Sequence, residues 1–356
     1  MTNSNLSIAK KVKNDEFYTQ YHDIEKEVAA YVEFNPDVFR DKTVFLPCDD
    51  PEWSNFTKFF AQNFQSLGLK KLVSTSYAAD SKKLGAYQPS LFEMESEKYD
   101  KAKTAQKGKI YTLTGDKTGD GKIDVNDLVW NYLKGDGDFR SEEVRALRDK
   151  ADVIITNPPF SLFREFLAWV VEADKQFVII GSKNVITYKE IFPLIKEDKM
   201  WVGATSFNKD MLFISPEEID PTQKPSTATR TVDGKVYLRS PSVWFANIDH
   251  GRRHQQLQLM SMADNLRFNK KLKGTEKYDY YDNYDAIEVP FTDAIPSDYE
   301  GVMGVPISFL DKYSPEQFEI IGCNRGVDQD SAGIYGRSTY LDGTETFKRL
   351  FIKHKA

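Results

Sequence analysis

The sequence predicts an α/β protein: a doubly wound sheet, followed by a mixed α+β C-terminal region. Three observations carry that expectation. Short apolar runs alternate with amphipathic helical stretches as far as Asp210. Several of those runs end in acidic or proline-rich turns. Beyond Asp210 the alternation gives way to turn residues and short strand-like runs.

Taken in order, Asp15 to Val32 leads into a helix, with Asp23 as the expected N-cap before Ile24, Val28 and Tyr31. Thr43-Val44-Phe45-Leu46-Pro47 reads as a buried strand ending at Cys48-Asp49-Asp50-Pro51. Ser54 to Leu67 has helical spacing through Phe56, Phe59, Phe60 and Phe64 and is stopped by Gly68; Lys71 to Ser76 is a second strand. Strand, acidic turn, helix, strand is how a doubly wound sheet opens. Tyr77 to Asp138 is irregular and is expected to make an excursion from the sheet. Alternation resumes with a helix over Ser141–Lys150, a strand over Asp152–Thr156, a helix over Leu162–Ala173 and a strand over Gln176–Gly181. A helix near Tyr188–Lys196 and a strand at Met200–Gly203 follow. Strand-like runs then recur at Val236–Leu238, Val243–Ile248 and Ala286–Pro290. The expected domains are 1–210 and 211–356, the boundary falling between Ser206 and Thr229.

The 356 residues are 40% hydrophobic and 13% aromatic, ample for a packed core. No run approaches a membrane span, the start lacks a signal peptide's apolar segment, and Cys48 and Cys323 stand far apart. A soluble protein of the cytoplasm is the expectation, with no disulfide framework and no zinc cluster. The net charge of −6 is unevenly placed. From Arg230 to Lys277 ten basic residues face four acidic ones, including Arg252, Arg253, Arg267, Lys270, Lys271 and Lys273. These are the candidate phosphate contacts; the ordinary alternative is a solvated face.

The chemistry is concentrated at Asn157-Pro158-Pro159-Phe160, directly after the apolar strand Val153-Ile154-Ile155-Thr156. Such a turn suits the holding of a planar NH2 group: the Asn157 amide oxygen accepts one hydrogen, and a turn carbonyl, that of Pro158, accepts the other. Proline stiffens the turn, and Phe160 offers a face on which a base can stack. Cys48-Asp49-Asp50-Pro51 and Gly135-Asp136-Gly137-Asp138-Phe139 fall at the same strand ends, where open α/β sheets bind ligands. Singly these are a helix cap and a surface turn. Together with Asn157 they describe a site for S-adenosylmethionine beside a site for an amine.

On the segments NDEFYTQYHDIEKEV, VFLPCDDPEWSNFTKFFAQNFQSLGLKKL, GDGDFRSEE, ADVIITNPPFSLFREF, WFANIDHGRR and MGVPISFLDKYSPEQFEIIG, the chain resembles the EcoRI-type adenine-specific DNA methyltransferase family from about Asn14 onward. The resemblance implies a Rossmann-like methyltransferase core using S-adenosylmethionine, a C-terminal region that helps recognise double-stranded DNA, and N6-methyladenine as product. It leaves open a pairing with a restriction endonuclease. Phe17, Tyr18 and Thr19 match the N-terminal cofactor motif; Pro47, Asp49 and Asp50 match the end of the first strand; Asp138 and Phe139 match the adenine-contacting pair. Asn157, Pro158 and Phe160 match the catalytic turn, with Asn157 also bordering the cofactor. The usual glycine-rich turn is replaced by Pro47–Pro51, and the second strand offers no carboxylate to a ribose diol.

Enzymes that methylate an NH2 of RNA guanine or of a protein glutamine share this turn, and a non-catalytic DNA-binding protein could keep the fold; the basic strip and the intact site positions argue against them. Asp116, Asp120 and Asp124 sit at calcium-loop spacing, but Thr118 and Asp127 replace expected ligands, and Lys109–Thr114 reads as a strand where a helix would enter. A hairpin turn is the better reading, and no metal is expected. His250 and His254 are expected to be exposed or to face DNA.

Overall fold

The structure, a computed structural model, describes residues 18–49, 54–78, 96, 98–205, 207–214, 229–324 and 338–355. Two compact units are formed, and they are not consecutive in sequence. The first combines residues up to Ser182 with Asp210–Ile248, and the second combines Lys183–Lys209 with Asp249 onward. The single boundary expected at 210 is thereby replaced by an exchange. The reason lies in Ser242–Ala246, which is buried throughout and completes the first unit's sheet.

In the first unit, β1 (Tyr18–Thr19) precedes α1 (Tyr21–Phe34). Gln20, not Asp23, is the N-cap; its side chain instead donates to the Leu212 carbonyl at 2.9 Å. Asp23 lies in the first turn, where a negative charge complements the helix dipole. After β2 (Thr43–Leu46), Ser54 caps α2 (Asn55–Gln62) by accepting from the Phe56 amide. This helix is shorter than the expected Ser54–Leu67. Turns replace its last part, ending at Gly68 with φ 65°. Its buried face interlocks by ring edges: Phe59 meets Phe60 at 5.2 Å, and Phe56 meets Trp244 at 5.9 Å. Truncating any of these rings to alanine would cost about 3–5 kcal/mol.

The remaining strands explain the irregular stretch. β3 (Lys71–Ser76) is followed by α3 (Lys101–Gln106), then by β4 (Lys109–Leu113) and β5 (Val129–Tyr132). β4 pairs antiparallel with both β3 and β5, so the expected excursion returns to the sheet as a hairpin. Alternation of buried Lys109, Tyr111 and Leu113 with half-buried neighbours gives β4 its period of two. Then come α4 (Glu142–Lys150), β6 (Val153–Thr156), α5 (Phe163–Glu172) and β7 (Gln176–Ser182). The chain enters the second unit, which holds β8 (Trp201–Val202), and returns with β9 (Met211–Ile214), β10 (Thr229–Val232), β11 (Lys235–Ser240) and β12 (Ser242–Ala246).

Within this unit the large mixed sheet runs β5-β4-β3-β2-β6-β7-β12. β3, β2, β6 and β7 are parallel to one another, and β12 is antiparallel to β7. β2, β6 and the middle of β7 are apolar almost without interruption, as strands covered on both faces are, whereas β3 ends in the buried polar run Ser74-Thr75-Ser76. A small antiparallel sheet, β1-β9-β11-β10, sits in the same unit. The register Val44↔Val153 and Phe45↔Ile154 brings the carboxyl ends of β2 and β6 to the same edge. That is where the site lies.

The second unit contains α6 (Phe192–Lys196), α7 (Met262–Phe268), β13 (Ala286–Glu288), β14 (Val302–Pro306), β15 (Phe318–Cys323), β16 (Tyr340–Leu341), β17 (Thr344–Glu345) and β18 (Arg349–His354). Its sheet is ordered β13-β14-β18-β15. The helix expected over Tyr188–Lys196 is reduced to α6, preceded by a 3-10 turn at Lys183–Thr187. Buried Glu288 receives the Arg349 guanidinium, with Nη2 at 2.6 Å from Oε1, and the Tyr281 hydroxyl also donates to it. No helix among the described residues is long and apolar enough to cross a membrane.

Candidate active site

The Asn157 turn is held from below by a hydroxyl. Thr156, wholly buried at the end of β6, places Oγ1 2.7 Å from Asp49 Oδ2 and also within reach of the Pro47 carbonyl. One hydroxyl carries one proton, so these two acceptors share it. The other carboxylate oxygen of Asp49 accepts from Ser54 Oγ at 2.9 Å, and the Asp49 carbonyl accepts from Ser74 Oγ at 2.9 Å. Asp49 therefore does not serve as the helix cap; Ser54 does, and it ties the cap to the carboxylate. The turn before it requires Cys48 at φ 67°, a left-handed conformation more often given to glycine.

Neighbouring contacts close a circuit. Asn55, first residue of α2, donates from Nδ2 to the Thr19 carbonyl at 2.8 Å. Thr19 pairs in register with Phe213 of β9, and the Phe213 ring meets Phe160 edge-on at 6.2 Å. The N-terminal motif, the Asp49 loop and the Asn157 turn are thus one connected object. Pro158 is buried and Phe160 half-buried. The Pro159 carbonyl is taken by the Leu162 amide at 3.0 Å, whereas none of the described residues donates to the Pro158 carbonyl. Phe17 and Asp50 lie outside the described residues.

On the other side of β2, the Gly135–Phe139 loop packs against the end of β3. A Cβ on Gly137, whose φ is 91°, would stand 2.3 Å from the Ser76 carbonyl oxygen, so only glycine fits. The Ala78 amide donates to the Asp136 carbonyl at 2.7 Å. Asp138 accepts from the Arg140 amide and guanidinium, with Nη2 at 2.6 Å from Oδ2. The Arg140 side-chain bond holds its carboxyl below the usual carboxylate range, even though partial burial works the other way. Phe139 is 1% exposed and packs against Phe166 and Trp169, so its ring is a core ring with almost no surface left for a ligand. That corrects the expected pocket wall. Thr19 Oγ1 and the Tyr77 hydroxyl are buried with no hydrogen-bond partner among the described residues.

Ser54, Asn55, Thr156, Phe213 and Tyr77 were not among the residues expected at the site. Ser54 and Asn55 carried a signal, small polar residues before a helical run; Phe213 carried none, because strand pairing alone brings it there.

In the second unit the expected phosphate contacts divide. Arg253 is 6% exposed, lies over the Trp201 ring at 3.7 Å and pairs with Asp198 and Asp249. Arg252 Nη2 is 2.7 Å from Asp311, whose side chain is buried, and Nη1 donates to the Ala204 carbonyl. Both guanidiniums are thus already engaged by carboxylates within the unit. His250 is buried, with Nε2 3.1 Å from the Val202 carbonyl oxygen, and His254 bridges Asp249 and Glu316. His250 is thus buried where exposure was expected, whereas His254 is exposed as expected, with both ring nitrogens facing carboxylates. Arg267, Lys270 and Lys273 are exposed and make no ion pair among the described residues, while Lys271 pairs with Asp293 at 2.9 Å.

The calcium-like loop is the tip of the β4–β5 hairpin, as its flanks predicted. Its carboxylates bind main-chain amides: Asp116 accepts from Gly119 and Gly121, Asp120 from Lys122, Asp124 from Asn126, and Asp127 from Lys117, Thr118 and Asp124. Those amides hold the Asp127 carboxyl down at about 2.

A mixed sheet whose parallel strands end in an acidic loop and an Asn-Pro-Pro-Phe turn, tied together by hydroxyls, defines a methyltransferase that acts on an amino group. Residues 5–355 match the family model described as adenine-specific methyltransferase EcoRI. The chain is 42% identical to Type II methyltransferase M.EcoRI of Escherichia coli, over 99% of this chain and 97% of that protein. It is 34% identical to Type II methyltransferase M.MpnI of Mycoplasma pneumoniae, over 98% of this chain and 97% of the relative. No solved structure matches. The chain belongs to the EcoRI adenine-specific methyltransferase family and is a DNA methyltransferase. Such an enzyme requires a methyl donor.

Proposed function

We propose that the protein moves the methyl group of S-adenosylmethionine to N6 of an adenine that has left the DNA helix, within one particular DNA sequence. The observation that carries this reading is the Asn157 turn: it ends a buried parallel strand, offers a Pro158 carbonyl to which no described residue donates, and is joined to two of the three expected cofactor motifs, through Asp49 and through Thr19. The donor set fits the cofactor. Buried hydroxyls ordinarily find partners, and those of Thr19 and Tyr77 find none within the described protein, as expected of groups that a polar ligand completes. Tyr18, Thr19, the Pro47–Asp49 loop and the Asp138 loop would hold it. Bound there, it supplies a methyl group activated by a positively charged sulfur.

The chain's own part is positioning. Asn157 Oδ1 and the Pro158 carbonyl accept the two hydrogens of the adenine amine, which favours the pyramidal nitrogen whose lone pair can attack. Stacking on Phe160 offsets part of the few kcal/mol needed to unstack the base. Fixed acceptors stabilise the charge that develops on the nitrogen. In the second unit, Arg267, Lys270 and Lys273 contact phosphates. A partner endonuclease would suit an enzyme of this type.

Nucleoside mass spectrometry of unmethylated DNA, incubated with protein and S-adenosylmethionine, tests the reading. Wild type yields N6-methyladenine; Asn157→Ala loses at least about 100-fold in turnover while still binding cofactor. Product formation by Asn157→Ala near the wild-type rate would remove Asn157 from catalysis.

A further inference from the structure

We infer that Tyr77 is a cofactor-contacting residue, its hydroxyl hydrogen-bonding the ribose–adenine part of S-adenosylmethionine where many doubly wound folds place a carboxylate. The inference rests on the methyl-donor reading above and adds a residue to it.

Tyr77 directly follows β3, whose carboxyl end, Ser74-Thr75-Ser76, carries no acid. Its backbone cannot swing away. The Ala78 amide is bonded to the Asp136 carbonyl at 2.7 Å, and a Cβ on Gly137 would lie 3.2 Å from Tyr77 Cα, so the two segments touch. Parallel pairing of Leu46 with Ser74 sets the Pro47–Asp49 loop on the neighbouring strand end. Tyr77 thus stands between the two loops expected to hold the cofactor. There its hydroxyl is buried; the Phe139 amide lies close enough to favour the ionised form, but no described residue makes a hydrogen bond of good geometry to it. Phenols in such positions ordinarily have one, since an unsatisfied buried hydroxyl is destabilising. Burial also pushes the phenol upward from its ordinary 10, and the field of Cys48 and Asp138 adds to this; the Phe139 amide and Arg140 oppose it only in part, so it remains a proton donor at neutral pH. A phenol can both donate to and accept from a sugar hydroxyl. Unlike a carboxylate, it does so without adding a negative charge beside Asp138.

The test is Tyr77→Phe, titrated calorimetrically with S-adenosylhomocysteine and with methylthioadenosine, which keeps the adenosine part and lacks the amino-acid part. Loss of one neutral hydrogen bond weakens both ligands by the same factor, about tenfold. The free protein should melt no lower than wild type, because the hydroxyl makes no well-formed hydrogen bond there to lose. Unchanged affinity for both ligands overturns the inference. So does a lower melting temperature of the free variant that accounts for the weaker binding, since that marks a structural tyrosine. Failure of wild type to bind either ligand would remove the methyl-donor reading itself, a result distinct from either.

Discussion

Replacing Thr156 by valine removes one hydroxyl and little volume, at the point where the Asn157 turn is joined to the Asp49 loop. Thr156 is wholly buried and Asp49 is 6% exposed, so water cannot take the hydroxyl's place without opening the site. The proton is shared between Asp49 Oδ2 at 2.7 Å and the Pro47 carbonyl, which makes the loss one hydrogen bond, not two. Leaving a buried polar group short of its partner costs about 1–3 kcal/mol, so Thr156→Val should destabilise the protein by about 2 kcal/mol. For a unit of this size that lowers Tm by roughly 4–8 °C. Activity should fall further than stability implies, because a displacement near 1 Å at a positioned acceptor costs on the order of 100-fold. Thr156→Ser keeps the hydroxyl and should retain most activity. Melting curves and single-turnover methylation, with cofactor saturating, check both numbers. A Thr156→Val protein with wild-type Tm and wild-type rate would refute the idea that this hydroxyl holds the turn.

Other expectations follow from the second unit. His250 is held at about 4, chiefly by burial, against an ordinary 6.5, so the folded state binds fewer protons than the unfolded state between those values. Stability is therefore complete above pH 6.5 and falls toward pH 4, by up to about 3 kcal/mol. His254 works in a separate window. Burial opposes its charge, but Asp249 and Glu316 raise it, so its contribution is lost only as pH rises above 6.5. Urea unfolding from pH 7 to 4.5 should show the acid loss in wild type and a flatter profile in His250→Gln; equal slopes would count against it. For DNA, Arg267→Ala, Lys270→Ala and Lys273→Ala should each weaken binding to all sequences alike and reduce the salt dependence of binding by about one unit of slope. An unchanged salt slope in the triple variant would place the phosphate contacts elsewhere.

The parts legible in the sequence were those with local causes. Apolar runs and aromatic spacing placed β2, α2, β3, β6, α5 and β7, because burial on both faces of a parallel strand leaves a run that is hard to mistake. The Asn157 turn was legible for the same reason: it must follow such a strand. What escaped were consequences of pairing. Nothing local in Lys109–Leu113 says that it returns beside β3, and nothing local in Ser242–Ala246 says that it belongs with residues sixty positions earlier. Phe139 was read by its place in a motif, while its ring was claimed by Phe166 and Trp169 on a helix whose packing the motif does not encode. Arg252 and Arg253 were read by charge alone, and their partners Asp311 and Asp198 stand more than fifty residues away.

Those two arginines also bear on which charges an acidic protein can offer to DNA. Drawing Arg252 onto a phosphate would leave Asp311, with a side chain only 5% exposed, as a buried carboxylate without its cation. Breaking such a pair by removing one partner is worth several kcal/mol, more than a single exposed phosphate contact returns. The same holds for Arg253, 6% exposed between Asp198 and Asp249 and lying over Trp201. Arg267, Lys270 and Lys273 face no such loss, since they pair with no carboxylate among the described residues and are already solvated. A net charge of −6 is therefore no obstacle to a polyanionic substrate. Within about a Debye length what counts is where cations without a carboxylate stand, and three that make no ion pair among the described residues stand within seven residues at the end of α7.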